Sequence, residues 1–260
     1  MASNSSTPHD ASNGPDRATV RDRLRRVTDP ELDRSIVDLE YVDEIEIDGS
    51  RVTVRFTLPT AWCSPAFAWM MATDARDAVE ALSSVETAEI VLQEHLHETE
   101  INRGVNERRS FEAAFPDADG EIEDVRAQLD EKARVGRQYD AIEALLGVGL
   151  EPARIVSLRR RDIERDESAG IAAIELSDRG FTATAPLEPI ESYLEKAQEA
   201  GIGANPDDVL FRTPEGEPID SDEFELVHRR GRLAQVNMSG QGGICDALNE
   251  SRRARFEGDD

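Results

Sequence analysis

The residue with the clearest capacity for chemistry is Cys63, in the segment PTAWCSP, where an alternating apolar stretch gives way to a proline-led apolar helix. A cysteine at a helix amino terminus meets unpaired backbone N–H groups and the positive end of the helix dipole, which favour the thiolate, the form that binds metal. One thiolate does not fill a tetrahedral metal site, nor does it hold a cluster, which draws on four cysteine ligands. The remaining donors would have to come from a second chain, from Cys245, from a carboxylate such as Glu31, or from a bound client. Transient carriage or delivery of metal therefore fits this residue better than permanent binding. The bland alternative is that Cys63 is a small packed side chain.

Other metal-ligating types are sparse. His95 and His97 sit two apart among Glu94, Glu98 and Glu100, so on an extended chain both imidazoles would share a face with room for a metal, although a solvated strand edge explains the pattern as well. Asp29 can cap backbone N–H groups of its own turn, and Glu31 can face solvent. His228 beside Arg229 and Arg230 reads as a surface helix residue. Trp69 has the position of a core residue, whereas Trp62, next to the thiol, can shield it or meet a partner. There is no GxSxG elbow, no P-loop and no GxGxxG fingerprint, and the glycines of SGQGG lack a following lysine. The expectation is a non-catalytic protein.

The elements that must position Cys63 are legible from periodicity. Residues 1–17, rich in Ser, Asn, Pro and Asp, read as a disordered arm. Val20, Leu24 and Val27 have the spacing of a short amphipathic helix that Asp29-Pro30 ends. Two alternating strands follow, Val42 to Ile47 and Val52 to Leu58, joined by Asp48-Gly49-Ser50, a strong hairpin signal. Pro65 opens a helix to Ser83, and Glu86 to Leu92 is a third strand. QEHLHETEINRGV is too polar for a core strand and too patterned for a linker; PDADG marks a boundary.

In the second half, Glu121 to Leu150 reads as one long or two abutting helices with Gly136 as the break, and Pro152 opens another. A strand pair over Ile171 to Leu176 and Phe181 to Ala185, a helix from Ile190 to Ala200, a hairpin around Val209 to Gly216, and a closing strand, glycine turn and helix complete it. The fold class is α+β: an α-β-β-α-β domain over 18–106, a linker over 107–120, and a helix-rich α+β region over 121–255.

The order DPEL, then VDL, then strand, strand, T-x-x-C and helix resembles the PaaD/SufT-like family of iron–sulfur assembly factors. The matching residues are Asp29, Pro30, Glu31, Leu32, Val37, Asp38, Leu39, Thr60 and Cys63. Glu40 stands where the family usually has glycine, and Ser64 separates Cys63 from its proline. The resemblance implies an assembly or maturation factor for iron–sulfur or other metal centres, carrying iron or a cluster transiently. It also implies that Asp29, Glu31, Thr60 and Cys63 serve the cargo, with Cys63 as the metal ligand. The partners implied are a client metalloenzyme and other iron–sulfur assembly proteins, and a homodimer would supply missing ligands.

Two resemblances compete in the second half. GLEPARIVSLRRRDIE and the segments after it look like the layout of tyrosine recombinases, but Glu151 stands at the arginine position and no His-x-x-Arg or terminal tyrosine follows. EHLHETEINRGV, FEAAFP and RLAQVNMSGQGGICDAL instead look like longer members of the assembly family associated with diiron monooxygenase gene clusters, a reading that covers both ends of the chain. A protein-interaction adaptor without metal, or a degenerate recombinase-like DNA-binding protein, are the alternatives.

Charge narrows the partners. Asp and Glu number 55 against 30 Lys and Arg over 260 residues, a net charge of -25, and Lys132 and Lys196 are the only lysines. Such an acidic, lysine-poor surface is of haloarchaeal type and reads as adaptation to salt, which screens self-repulsion. It opposes nonspecific binding to nucleic acid or acidic membranes. Two cysteines outside any CxxC pair read as free thiols in a reducing compartment, and the absence of long apolar runs reads as cytoplasmic.

Overall fold

The computed structural model describes residues 14–118, 120–176 and 181–257; most of the expected disordered arm, residues 1–13, lies outside them. The described chain divides into two units, one formed by the residues up to Ile122 together with those from Cys245 onward, the other by Glu123–Ile244.

In the first unit, α1 (Arg17–Leu24) starts on Asp16, whose carboxylate accepts the Thr19 N–H at 2.8 Å, and it buries Val20 and Leu24. The DPEL segment forms a small antiparallel ribbon, β1 (Thr28–Asp29) with β2 (Arg34–Ser35), in which Asp29 stands opposite Arg34. Next come β3 (Val42–Asp48) and β4 (Arg51–Thr57), a hairpin turning at Gly49, whose φ of 63° suits a residue without Cβ. α2 (Pro65–Glu80) then crosses over to β5 (Thr87–Gln93), which lies parallel to β4 and gives the order β3-β4-β5. Parallel neighbours need such a crossover, and α2 supplies it with a buried stripe of Ala68, Met71, Ala72, Ala75 and Val79. Inward-facing Val52, Val54, Phe56, Ala88, Ile90 and Leu92 are buried across the sheet, as strand alternation requires.

The ambiguous polar segment after β5 is a turn followed by α3 (Glu98–Asn106), and a short α4 (Phe111–Ala114) comes next. Two asparagines one helical turn apart explain why α3 sits against the outer edge of β5. The Asn106 amide exchanges hydrogen bonds with Ile90 N and O at 2.9 and 2.8 Å, and the Asn102 amide does so with Leu92 N and O at 2.8 and 2.9 Å. The pair stands in for a fourth strand and covers an otherwise open edge. Residues 107–120, expected as a linker, also serve this unit: Phe111 is buried, and Phe111 and Phe115 meet the Trp69 ring edge-on at 5.6 and 6.2 Å.

Glu40 adopts φ 57°, in the left-handed region where a side chain is strained. Its carboxylate pairs with Arg253, but both side chains are largely exposed, so the pair contributes little. Glu40→Gly is therefore expected to leave stability unchanged or raise it by up to about 1 kcal/mol. A chemical-denaturation midpoint that falls by more than such an exposed pair is worth would show that Arg253 does more than the turn.

The second unit is built on α5 (Ile122–Gly147), which begins one residue before the unit does. It adds α6 (Pro152–Ile155), the antiparallel meander β6 (Ile163–Asp166), β7 (Ile171–Leu176) and β8 (Phe181–Pro186), α7 (Leu187–Glu199), and α8 (Phe224–Glu257) up to Ile244. Its core joins Ile142, Leu145, Ile174, Ile190, Tyr193 and Phe211. The hairpin expected here is a minimal one: across the Pro214–Gly216 turn the Thr213 N–H donates to Glu217 O at 2.7 Å and Arg212 bridges Pro218 antiparallel, while Val209 bridges Arg159. Buried Gln138 ties this segment to α5, donating to Arg212 O at 2.9 Å and accepting the Arg212 N–H at 3.0 Å.

Two glycine expectations are corrected. Gly136 does not break α5; a Cβ there would come within 3.3 Å of the Met238 sulfur, and one on Gly231 within 3.0 Å of the Tyr139 Cβ, so both glycines serve the close approach of α5 and α8. The closing segment is likewise no strand, turn and helix but the continuous α8, with SGQGG inside it. Each interior glycine costs about 1 kcal/mol relative to alanine, an amount that packing overrides at Gly136 and Gly231, while nothing lies within 4 Å of a Cβ built on Gly240 or Gly243. From Cys245 the helix belongs to the first unit, although the expected second domain ran to 255. There Asn249 is buried and donates to Leu39 O at 2.9 Å, Asp246 takes Arg34 in a forked pair at 2.8 and 3.0 Å, and Arg252 lies 3.6 Å from Asp43. None of the described helices is long and apolar enough to cross a membrane.

Candidate functional site

Cys63 lies on the loop between β4 and α2 and is half-buried. Thr60 shapes that loop: its hydroxyl accepts the Trp62 N–H at 3.2 Å and its carbonyl accepts the Cys63 N–H at 3.3 Å. Trp62 points away from the core, with 79% of its surface exposed. Pro65 opens α2, and the preceding Ser64 makes no side-chain cap.

The other side of the loop is held by the turn after β5. Leu96 N–H donates to Ala61 O at 3.1 Å. His95 is buried; its Nδ1 accepts the His97 N–H at 3.1 Å, which leaves the proton on Nε2 to donate to Cys63 O at 2.9 Å. Both ring nitrogens are engaged by the backbone, so His95 is a positioning residue for the Cys63 loop. The extended His-x-His face expected from spacing does not form. Glu94 turns the chain with φ 55°, His97 becomes the residue preceding α3, and its ring lies edge-on to Phe115 at 5.5 Å.

Asp29 is buried, and its carboxylate closes the DPEL turn by accepting the Glu31 and Leu32 N–H groups at 2.9 and 3.2 Å; the Tyr41 hydroxyl lies 3.4 Å from its second oxygen. Burial pushes the Asp29 carboxyl above its usual range, with the neighbouring Glu31 adding to the effect and the two N–H groups opposing it. Glu31 is half-buried in the same turn. Asp38, the other motif acid, is exposed and pairs with Arg25.

The electrostatics of the thiol reverse the sequence expectation of a stabilised thiolate. Burial pushes Cys63 up to about 12, and Asp29, Cys245 and Glu31 push the same way; only the Ser64 N–H opposes them. The helix start is present, but desolvation and two acidic neighbours outweigh it. Cys245 is also half-buried and raised, first by burial and then by Asp29 and Glu31. Two thiols, Tyr41 and the DPEL acids thus share one region of the first unit. Among the described residues no three His, Cys, Asp or Glu side chains are grouped so as to hold a metal ion.

Residues 17–90 match the family described as iron–sulfur cluster assembly protein. Over 91 residues the chain is 34% identical to an uncharacterized protein of Methanocaldococcus jannaschii, a stretch that is 34% of this chain and 93% of that protein. The chain belongs to the iron–sulfur cluster assembly protein family. It is also similar to the iron–sulfur cluster carrier protein of Synechocystis, 25% identical over 195 residues that make up 74% of this chain and 51% of the carrier, about half its length. Residues 17–90, the stretch that matches the family, contain the DPEL turn, Thr60 and Cys63. Sequence reasoning missed the roles of His95, Tyr41, Asn102 and Asn106; of these, the i, i+4 asparagine pair left a visible signal.

Proposed function

We propose that this assembly-family protein receives iron or an iron–sulfur unit at Cys63 and passes it to a client metalloenzyme, acting without catalysis of its own. The observation that carries the reading is the Cys63 loop itself. Its backbone is held by Thr60 on one side and by His95 and Leu96 on the other, and its thiol feels the charges of Cys245 and of the Asp29 turn. In this arrangement Cys63 is the metal ligand, Thr60 and the Asp29 turn shape its surroundings, and Glu31 is a nearby carboxylate on the cargo side. Because the thiol starts protonated, incoming metal competes with a proton, which weakens retention and favours hand-over.

The partners that follow are a donor among the iron–sulfur assembly proteins and the client, met at the exposed Trp62 beside the thiol. A diiron monooxygenase is the client suggested by the long-form resemblance. A cytoplasmic, salt-adapted setting agrees with the acidic composition. Anaerobic purification with iron and sulfide analysis tests the reading. Wild type is expected to carry less than one cluster per chain and Cys63→Ala none; equal loading of the two would overturn it.

A nucleic-acid role for the second unit is not favoured. Asp162 lies 3.9 Å from Arg161 and 3.7 Å from Arg154, and Asp207 pairs with Arg161, so two of the arginines of this segment are already matched by acidic neighbours. Few phosphates could be contacted. An anisotropy titration with duplex DNA is expected to show weak or no binding at the lowest salt that keeps the protein folded; tight binding with a steep salt dependence would reverse this.

A further inference from the structure

The position of Cys245 has a consequence for the cargo site. Cys245, Asn249 and Arg252 recur at i, i+4 and i+7 on α8, a spacing that places them on one helical face. Two members of that face have fixed positions in the first unit, Asn249 on the Leu39 carbonyl and Arg252 beside Asp43. The next residue along, Asp246, grips Arg34, and Arg34 is the strand partner of Asp29. The helix therefore sets Cys245 over the DPEL ribbon, and Asp29 in that ribbon is linked through the Tyr41 hydroxyl to the strand region that leads to the Cys63 loop.

Resting on the Cys63 reading above, we propose that Cys245 is the second thiolate of the cargo site, so that the loop and α8 together hold one iron at the edge of an iron–sulfur cluster. The chemistry of the donor set fits that class of ligand. Each iron of a cysteine-held [2Fe–2S] cluster takes two thiolates and two bridging sulfides. Two thiols without a third protein donor supply half of a four-coordinate site and leave the rest to sulfide, while the far iron stays available to ligands of the donor or client. On loading, two S–H bonds break, two iron–sulfur bonds form and two protons leave to solvent, with no change of oxidation state. The same two thiols would hold one soft divalent ion, which makes the site testable without a cluster.

Cobalt(II) titration of the full chain under reducing, anaerobic conditions is the test, read by the thiolate-to-cobalt charge-transfer band per bound metal. Cys245→Ser is expected to lower that band to about half of wild type, and Cys63→Ser to lower it at least as far, with unchanged circular dichroism. A full-strength band in Cys245→Ser alongside a lost one in Cys63→Ser overturns the role of Cys245 and leaves the Cys63 reading intact. A full-strength band in Cys63→Ser, or none in wild type, overturns both. Should Cys245→Ser fold poorly, bridging of the two thiols in unliganded wild type by a short bifunctional alkylating reagent decides: a Cys63–Cys245 cross-link supports the pair, and single-site adducts alone overturn it.

Discussion

At neutral pH, Cys63 is expected to react with iodoacetamide about 50-fold more slowly than an unperturbed cysteine, followed by peptide mapping so that Cys245 is counted separately. The reasoning starts from its thiol, pushed up to about 12 from an ordinary value of 9.0 by burial and by Asp29, Cys245 and Glu31. The thiolate population then falls by about 1,000-fold. A more basic thiolate is also more nucleophilic, by about 20-fold over that range, and the two effects leave about 50-fold. The pH profile carries a second signature: the rate should keep climbing about tenfold per pH unit beyond pH 9, where an ordinary thiol levels off. Asp29→Asn, which removes the largest acidic neighbour while keeping an acceptor for the turn, should speed alkylation near neutrality. Labelling at the rate of a free thiol would mean that the helix start wins after all and that the loaded thiolate needs no help from incoming metal.

The second large effect lies away from the thiol. Gly104, on the buried face of α3, has no room for a side chain: an added Cβ would sit 2.5 Å from two atoms of the Trp69 ring and 3.3 Å from the Ala114 Cβ. That ring cannot swing aside freely, because Phe111 and Phe115 both meet it edge-on. Gly104→Ala is therefore expected to destabilise the first unit by about 2–3 kcal/mol through overpacking, despite alanine's better helix propensity. Denaturation midpoints measure this, and Trp69→Phe in the same chain should recover part of the loss, a coupling that a double-mutant cycle isolates. Because α3 directly follows the His95–His97 turn, Gly104→Ala should also speed the alkylation of Cys63. No loss of stability would show that α3 is free to move off α2.

The first unit was readable in sequence because its signals are local. Asp48-Gly49 between alternating strands, and Pro65 ahead of a 3.6-period run, each set a short-range geometry that the structure contains as β3, β4 and α2. The DPEL and T-x-x-C residues are of this kind too: Asp29 and Thr60 bond to backbone two or three residues away. What the sequence by itself determined is thus the α+β class, most element positions and the loop that presents Cys63.

Tertiary structure decided the features in which distant segments meet. Gly136 and the glycines of SGQGG look like breaks on propensity alone, yet α5 and α8 run through them; at Gly136 the close approach of α8 outweighs a cost of about 1 kcal/mol, whereas a Cβ on Gly240 or Gly243 would meet nothing within 4 Å and no packing contact explains those two. The His95 and His97 pair became a clamp for the Cys63 loop once Glu94 took a left-handed turn, a conformation that pattern does not foretell for a glutamate. The ionisation of Cys63 was decided there as well. Helix position favoured a thiolate, whereas burial beside Asp29 and Glu31, brought up from more than thirty residues away, raised the thiol instead, because desolvation and like charge depend on what surrounds a group in space and not on what adjoins it in the chain.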